Sequence, residues 1–234
     1  MTVRGVLFDF SGTLMRVEPA VRWMRAALES TGHALPEAEL TRYAHALEEA
    51  GALPGSTTPA SVPDGLRALW DERDRDARRH RDLYTGLARR VPLPHDGLYD
   101  ALYERHMAPE AWEPYPDAVP VLKALQQRDV PVAVVSNIGW DLRPVFRAHG
   151  LDPYVREYVL SYEHGVQKPD PRLFRTACAA LGLAPEHVLM VGDSTRADGA
   201  ATHLGCAFHP VPHLPPTARP DALRPVLGMV GPAR

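Results

Sequence analysis

The sequence predicts an α/β protein with a doubly wound parallel sheet of about five strands and an inserted helical segment. Short apolar runs with strand character alternate with helical patterns, which is the order expected of parallel strands joined by crossover helices. One long stretch with helical periodicity and no convincing strand pattern separates the first strand from the others. The predicted strands span residues 3–8, 130–135, 158–160, 188–191 and 206–211.

Helices beside this sheet are predicted from apolar residues that recur at i, i+3, i+4 and i+7. One such pattern covers residues 118–125 and another covers residues 174–181. A glycine follows each of three helical patterns, where a left-handed C-terminal cap is expected. These glycines are Gly150, Gly182 and Gly205, and a proline-rich tail from Pro210 leads to a last short helix near residues 221–227.

The stretch from 16 to 110 is predicted to be a helical cap domain, with 1–15 and 111–234 forming the α/β core domain. Within the cap, residues 51–63 are rich in Gly, Pro, Ser and Thr and are predicted to form a loop. The mixed-charge run 71–82 is predicted to be a solvated helix with internal salt bridges rather than a substrate-facing surface. Five aromatic residues of this region are candidates either for its core or for a pocket wall: Trp23, Tyr43, Trp70, Tyr84 and Trp112.

The composition favours small-molecule chemistry. The 234 residues carry a net charge of -3, so no global positive field favours nucleic acid or an anionic membrane as partner. We find no secretion-signal pattern and no apolar run near the roughly 18 residues of a spanning helix, which predicts a cytoplasmic protein. Cys178 and Cys206 are therefore predicted to be reduced, packed thiols. The oligomeric state, monomer or homodimer, is left open.

Polar residues fall at the ends of the predicted strands, where open α/β sheets bind their ligands. Asp9 and Asp193 offer hard oxygen ligands of the kind that Mg²⁺ prefers. Ser136 and Lys168 are suited to bind phosphoryl oxygens, and Lys168 also neutralises neighbouring carboxylates. Together the segments predict a phosphoryl-transfer site. They are Asp9-Phe10-Ser11-Gly12-Thr13, Ser136-Asn137, Gln167-Lys168-Pro169-Asp170, and Gly192-Asp193-Ser194 with Asp198 beyond it.

In this order, and over nearly the whole chain, the four segments resemble the haloacid dehalogenase superfamily, in the subgroup with a helical cap after the first motif. The resemblance implies that Asp9 is a nucleophile that forms an aspartyl-phosphate. It also implies that Asp9, the main-chain carbonyl of Ser11 and Asp193 hold Mg²⁺. Asp198 would act through a metal-bound water or by pairing with Lys168. Thr13, Ser136 and Asn137 would bind and orient the substrate.

The first motif departs from this pattern at one position. Phosphatases of the superfamily usually carry a second Asp two residues after the nucleophile, as a general acid and base, and here that position is Ser11. A serine hydroxyl is too weak an acid for this role, and loss of such help costs about 10²- to 10⁴-fold in rate. The cap histidines are the candidates for a substitute, and the sequence does not choose among them: His33, His45, His80, His95 and His106.

Several functions are compatible with Ser11. The first is a Mg²⁺-dependent phosphatase of a small phosphorylated metabolite, whose leaving group needs no proton or receives it from the cap. The second is 2-haloacid dehalogenation, in which halide leaves unprotonated, although the superfamily's dehalogenases need no metal. The third is a binding protein for a phosphorylated ligand or partner, without turnover. A phosphonatase-like Schiff base is disfavoured because the only lysines are Lys123 and Lys168 and neither lies in the predicted cap. We favour the phosphatase.

Overall fold

The computed structural model describes residues 2–56, 59 and 61–231. Its main sheet has five strands, all parallel, in the spatial order β5-β4-β1-β6-β7. The predicted doubly wound α/β fold is thereby confirmed, with the amino-terminal strand at the centre. The strands are β1 (Gly5–Phe8), β4 (Val132–Ser136), β5 (Glu157–Leu160), β6 (Val188–Gly192) and β7 (Ala207–Pro210), while β2 (Met15–Val17) and β3 (Trp112–Pro114) form a separate antiparallel pair.

The register of the central strands brings the polar segments to one edge. Phe8 at the end of β1 lies opposite Val134 of β4 and Val191 of β6. Because the three strands are parallel, the residues that follow them emerge on the same side of the sheet. All four residues of β1 are buried, as expected for a strand that is covered on both faces.

Helices cover the sheet on both sides. Alternate residues of β1 enter different apolar clusters: Val6 and Phe8 belong to one, and Leu7 belongs to the other, with Phe174 of the long helix after β5. The helices of the described residues are α1 (Ala20–Ser30), α2 (Glu37–Glu49), α3 (Arg67–Glu72), α4 (Ala77–Ala88), α5 (Gly97–Met107), α6 (Ala118–Gln126), α7 (Arg143–Ala148), α8 (Ser161–His164), α9 (Pro171–Leu181) and α10 (Val226–Met229).

Both sheet-packing helices predicted from apolar spacing are present, as α6 and α9. The three predicted capping glycines, Gly150, Gly182 and Gly205, have the positive φ angles of left-handed caps. The predicted loop 51–63 contains no helix or strand within its described residues, and 57, 58 and 60 lie outside them. The last short helix, α10, begins later than predicted.

Helices α1 to α5 lie between β2 and β3, which agrees with an inserted helical segment. The expectation that the stretch 16–110 contains no strand is wrong at its start, because Arg16 and Val17 of β2 pair antiparallel with Glu113 and Trp112 of β3. Each strand is only three residues long, too short to show an alternating pattern. The division into a cap domain, 16–110, and a core domain remains our proposal.

The prediction for residues 71–82 is also wrong in part. Instead of one solvated helix, α3 ends at Glu72 and α4 begins at Ala77, with a turn between them. Exposed salt bridges are present, such as Arg75 to Glu72 at 2.7 Å. However, Asp74 and His80 are almost completely buried. A charge pattern does not reveal this burial, because it depends on what the turn packs against.

The two cysteines are free thiols buried beside each other, with the Cys178 and Cys206 sulfurs 4.0 Å apart. This agrees with the predicted packing. None of the helices in the described part of the chain is long and apolar enough to cross a membrane. The cytoplasmic location stays a prediction.

Candidate active site

A cavity of about 230 Å³ opens at the carboxyl edge of the sheet. Asp9 follows β1, Ser136 ends β4, and Asp193 follows β6, so three adjacent strands supply its floor. Lys168 reaches it from the loop between α8 and α9. The structure therefore brings seven of the eight predicted site residues to one cavity: Asp9, Ser11, Ser136, Asn137, Lys168, Asp193 and Asp198.

Lys168 is the centre of this arrangement. Its Nζ donates to Oδ1 of Asp9 at 2.7 Å and to Oδ1 of Asp198 at 2.6 Å. The third hydrogen bond goes to the main-chain carbonyl of Val135 at 2.9 Å. All three donors of the ammonium group are thus used. Among the described residues, no donor is bonded to Oδ2 of Asp9, so this oxygen is available for chemistry.

For Asp9 and for Lys168, burial and the neighbouring charges shift the pKa in opposite directions. Burial raises the pKa of Asp9 to about 7, and the Lys168 ammonium offsets part of that rise. Burial alone would lower the pKa of Lys168, but Asp198 and Asp9 together raise it above its usual range. Lys168 is therefore a permanent cation in the folded protein. It stabilises the ionised form of Asp9, which is the form that can act as a nucleophile.

Asn137 holds Lys168 in place. Its Nδ2 donates to the Lys168 carbonyl at 2.9 Å, and the Lys168 N–H donates to Oδ1 at 2.6 Å. These two bonds occupy both ends of the amide. Asn137 also lines the cavity, and the expectation that it binds substrate stays a prediction. Ser136 is buried at the cavity wall, as expected of a residue that binds a phosphoryl oxygen.

Three carboxylates form the candidate metal site. Asp9, Asp193 and Asp198 each offer an oxygen atom, and these atoms lie within 4.8 Å of one another. Hard carboxylate oxygens at this spacing fit a divalent cation such as Mg²⁺. Asp198 also pairs with Lys168, which is one of the two roles expected for it, and its Oδ2 accepts from the Ser194 N–H at 2.9 Å.

The sequence analysis missed His213. It lies in the tail after β7, where its Nδ1 contacts Oδ2 of Asp193 and its Nε2 contacts Arg16. His213 follows the carboxyl end of β7, and Asp9, Ser136 and Asp193 stand at the carboxyl ends of other strands. This shared position was the signal available in the sequence. His213 links the candidate metal site to the tail and to β2.

The turn after β1 is shaped by Gly12, whose φ of 76° lies in the left-handed region that favours glycine. A side chain there would collide with Asp193 and His213. Arg219, also missed, donates to the carbonyl oxygens of Gly12 and Thr13. Thr13 is not among the described residues that line the cavity, and none of these residues forms a hydrogen bond with its buried hydroxyl. The expectation that Thr13 contacts the phosphoryl group is not supported by this placement.

The helical segment supplies the other wall of the cavity. Of the five candidate histidines, only His80 lines it, and burial lowers its pKa well below the ordinary value. His80 is therefore neutral in the folded protein. Tyr84 also lines this wall, Trp112 of β3 lines the cavity beside it, and Trp23 is packed in the core. The remaining residues that the helical segment contributes are Pro54, Gly55, Arg73 and Asp74.

A larger cavity, of about 520 Å³, lies at the opposite edge of the sheet, near Arg4, Pro131 and His187. These residues precede β1, β4 and β6. Its lining holds Asp129 as the only carboxylate among the described residues. Ligands of open α/β sheets bind at the carboxyl edge, and the smaller cavity carries the clustered charges, so we place the chemistry there.

The sequence model of the haloacid dehalogenase-like hydrolase family matches residues 3–202 of this chain. The chain belongs to this family. Both phosphatases and dehalogenases of this family are among its relatives. It is 30% identical to a phosphoserine phosphatase of Thermus thermophilus, over 82% of this chain and 67% of that protein. It is 27% identical to (S)-2-haloacid dehalogenase 4A of Burkholderia cepacia, over 87% of this chain and 80% of that protein.

Solved structures of haloacid dehalogenase-like hydrolases share the fold. The L-2-haloacid dehalogenase of Xanthobacter autotrophicus superposes with a TM-score of 0.63 at 22% identity, covering 98% of this chain and 85% of that one. At this identity the likeness establishes the fold alone. Hydrolase chemistry on a small molecule follows from the family, whereas the substrate class does not, because both phosphatases and dehalogenases are similar to this chain.

Proposed function

We propose that the chain is a Mg²⁺-dependent phosphatase that acts on a small phosphorylated metabolite through an aspartyl-phosphate on Asp9. The observation that carries this proposal is the grouping of Asp9, Asp193 and Asp198 within 4.8 Å, with Lys168 bonded to two of them. Three carboxylates around one lysine leave an excess of negative charge. A divalent cation offsets this charge and lets an anionic phosphoryl group approach.

In the proposed reaction, Oδ2 of Asp9 attacks phosphorus while Oδ1 stays bonded to Lys168. Ser136 binds a phosphoryl oxygen, and Asn137 keeps the Lys168 loop fixed through its two backbone bonds. Asp9, Asp193 and the Ser11 carbonyl would hold Mg²⁺, with Asp198 nearby. When bound, the ion neutralises the charge on the transferring phosphoryl group. Water then hydrolyses the aspartyl-phosphate and restores Asp9.

A dehalogenase is the second candidate. Two observations favour it: Ser11 stands where a phosphatase carries its second Asp, and a 2-haloacid dehalogenase is among the relatives. In that reaction Asp9 displaces halide from carbon, and no proton is needed by the leaving group. We rank it second because a metal-independent reaction gives no use to the cluster of Asp193 and Asp198 beside Asp9. A non-catalytic phospholigand-binding protein ranks third.

Parallel assays separate these functions. Acetyl phosphate, phosphoserine, phosphoglycolate and 2-chloropropionate are incubated with the protein, in Mg²⁺ and in chelator, with Asp9→Asn as the blank. Release of phosphate that needs both Mg²⁺ and Asp9 supports the phosphatase. Release of chloride in chelator supports the dehalogenase instead. Binding of phosphoserine or phosphoglycolate without turnover of any compound supports the binding protein.

A further inference from the structure

The proposed phosphatase lacks a proton donor on its first motif. An alkoxide leaving group needs a proton, and the water that hydrolyses the aspartyl-phosphate must lose one. Ser11 supplies neither at useful rates. In an in-line displacement the leaving oxygen departs on the side of phosphorus away from the attacking oxygen. A side chain of the helical wall is suited to reach this oxygen, because Asp9 attacks from the edge of the sheet.

Asp74 is the carboxyl group on that wall. Only 4% of the residue is exposed, and it lines the same cavity as Asp9, Ser11 and Lys168. Among the described residues, the basic side chains nearest to its oxygens are Arg73, with Nε at 3.5 Å, and the neutral His80, with Nε2 at 3.9 Å. Both distances exceed a normal hydrogen bond. The carboxyl group is therefore buried against the cavity without a strong donor of its own.

The turn that carries Asp74 is fixed to the core next to Lys168. The Gln167 side chain accepts from the Asp74 N–H at 3.2 Å and donates to the Asp71 carbonyl at 3.0 Å. The Ser161 hydroxyl donates to the Asp74 carbonyl. Gln167 directly precedes Lys168, so the catalytic loop and the turn between α3 and α4 are joined. Two hydrogen bonds to the Asp74 backbone and one to the Asp71 carbonyl therefore fix the main chain from which the Asp74 carboxyl group enters the cavity.

We infer that Asp74 is the general acid and base of this enzyme, in the place of the missing second Asp of the first motif. The inference rests on the proposed phosphatase function. In the first half-reaction, the Asp9–phosphorus bond forms, the phosphorus–oxygen bond breaks, and the leaving oxygen takes the proton of Asp74. In the second, Asp74 takes a proton from water as the water oxygen bonds to phosphorus. Phosphate leaves, and Asp9 and Asp74 return to their starting states.

The environment of Asp74 makes its carboxyl group easier to protonate than that of an exposed aspartate. Burial raises the pKa of Asp74, and Arg73 and Lys168 offset only part of this rise. Each proton bound by Asp74 would also reduce the negative charge that a phosphoryl group meets in the cavity. Among the described residues, the carboxyl groups that line the cavity outnumber its cationic side chains, Arg73 and Lys168. The carboxyl groups are those of Asp9, Asp74, Asp193 and Asp198.

The other groups on the wall are poorer donors. His80 is neutral because burial lowers its pKa, and its Nδ1 already pairs with the Tyr103 hydroxyl at 2.9 Å. Burial raises the pKa of Tyr84 to about 12, so its phenol is a weak acid at neutral pH. A carboxyl group with a raised pKa lies nearer the value at which an acid and a base are both effective.

Leaving groups of different basicity test this role. The alkyl phosphate that the wild-type protein hydrolyses fastest is compared with acetyl phosphate, whose acetate leaves without a proton. In Asp74→Asn, we expect kcat/KM for the alkyl phosphate to fall about 10²- to 10⁴-fold. Acetyl phosphate should still release acetate in a burst of one per enzyme, followed by slow turnover, because only the second half-reaction needs the base. Asp71→Asn, an exposed carboxylate of the same run, should behave like the wild type.

A rescue experiment separates proton transfer from a structural role. Adding Ser11→Asp to Asp74→Asn should raise the alkyl-phosphatase activity at least tenfold above that of Asp74→Asn alone. A packing defect would not be repaired in this way. If Asp74→Asn does not fold, Gln167→Leu provides the second variant. It releases the turn and should show the same dependence on the leaving group.

Three results would overturn the inference. The first is wild-type alkyl-phosphatase activity in folded Asp74→Asn. The second is that Asp74→Asn loses the acetate burst as well as alkyl-phosphate turnover. The third is that Ser11→Asp does not rescue Asp74→Asn. A wild-type protein that hydrolyses neither phosphate would overturn the proposed function itself, and the inference with it.

Discussion

The side-chain amide of Asn137 exchanges two hydrogen bonds with the backbone of Lys168, at 2.9 and 2.6 Å. This contact connects the end of β4 to the loop that carries the ammonium group of the site. Because both ends of the amide are bonded to this backbone, we expect its effect on catalysis to be exerted through Lys168. A displacement of about 1 Å of a catalytic group can cost 10²-fold in rate.

Asn137→Ala should therefore lower kcat about 10- to 100-fold with little change in KM. Ser136→Ala, next to it in the chain, removes a hydroxyl expected to bind the phosphoryl group and should raise KM. Steady-state kinetics on the best phosphate substrate gives both values. A rise in KM at constant kcat for Asn137→Ala would instead make Asn137 a substrate ligand.

Lys168→Met should destabilise the protein. It leaves Asp9 and Asp198 buried without their cation, and breaking a buried ion pair costs about 3–5 kcal/mol. The matched control is Lys123→Met, which removes the only other lysine from the exposed side of α6 and should change stability by less than about 0.5 kcal/mol. Urea unfolding without metal measures both.

The stability lost in Lys168→Met should depend on pH, and the direction of this dependence follows from the pKa of Asp9. Without the ammonium group, which lowers the pKa of Asp9, the folded-state pKa of Asp9 lies further above its unfolded value. Such groups favour the folded state at low pH and lose this contribution as pH rises through the folded pKa. Asp9 already has a pKa raised to about 7, so the deficit should shrink between pH 8 and pH 5. A deficit that grows on acidification would contradict this account.

Gly12→Ala should inactivate the enzyme, whereas Gly32→Ala should not. Both glycines have positive φ, 76° and 71°, so each substitution costs about 1–2 kcal/mol of backbone strain. At Gly32 the new methyl group meets nothing, but at Gly12 it collides with Asp193 and His213. Thermal unfolding and phosphatase assays of the two variants separate strain from damage to the site. Equal activity in both variants would count against the arrangement of Asp193.

Mg²⁺ should raise the melting temperature of the wild-type protein. At about 100 times its Kd, a ligand that binds only the folded state contributes about 2.7 kcal/mol, or roughly 5–10 °C for a chain of this size. Asp193→Asn should remove most of this shift. Asp221→Asn, an exposed carboxylate of the tail, should keep it. An unchanged shift in Asp193→Asn would mean that the ion binds elsewhere.

The strands and most of the site were predictable because their signals are local. The central strands β1, β4 and β6 are buried, mostly apolar runs, and Asp9, Ser136 and Asp193 stand at their carboxyl ends. Parallel topology then brings these side chains to one edge. The arrangement of Lys168 between Asp9 and Asp198 follows the expectation, although the hydrogen bonds that fix its loop to Asn137 required coordinates.

The departures arise where tertiary contacts decide. Asp74 lies in a run of charges that resembles a solvated helix, and its burial results from contacts with Gln167 and Ser161, far away in the chain. His213 and Arg219 reach the first turn from a proline-rich tail whose path has no periodic signal. Short-range patterns do not encode such approaches.

The most direct test of the central claim is the chemical nature of the adduct on Asp9. The protein is mixed with acetyl phosphate and Mg²⁺, quenched in acid and digested, and the peptide containing Asp9 is analysed by mass spectrometry. A parallel sample receives 2-chloropropionate. We predict a phosphoryl group on Asp9 in the first sample, none in chelator, and no adduct in the second. A 1-carboxyethyl ester on Asp9 in the second sample, with no phosphoryl group in the first, would contradict the account and establish dehalogenation.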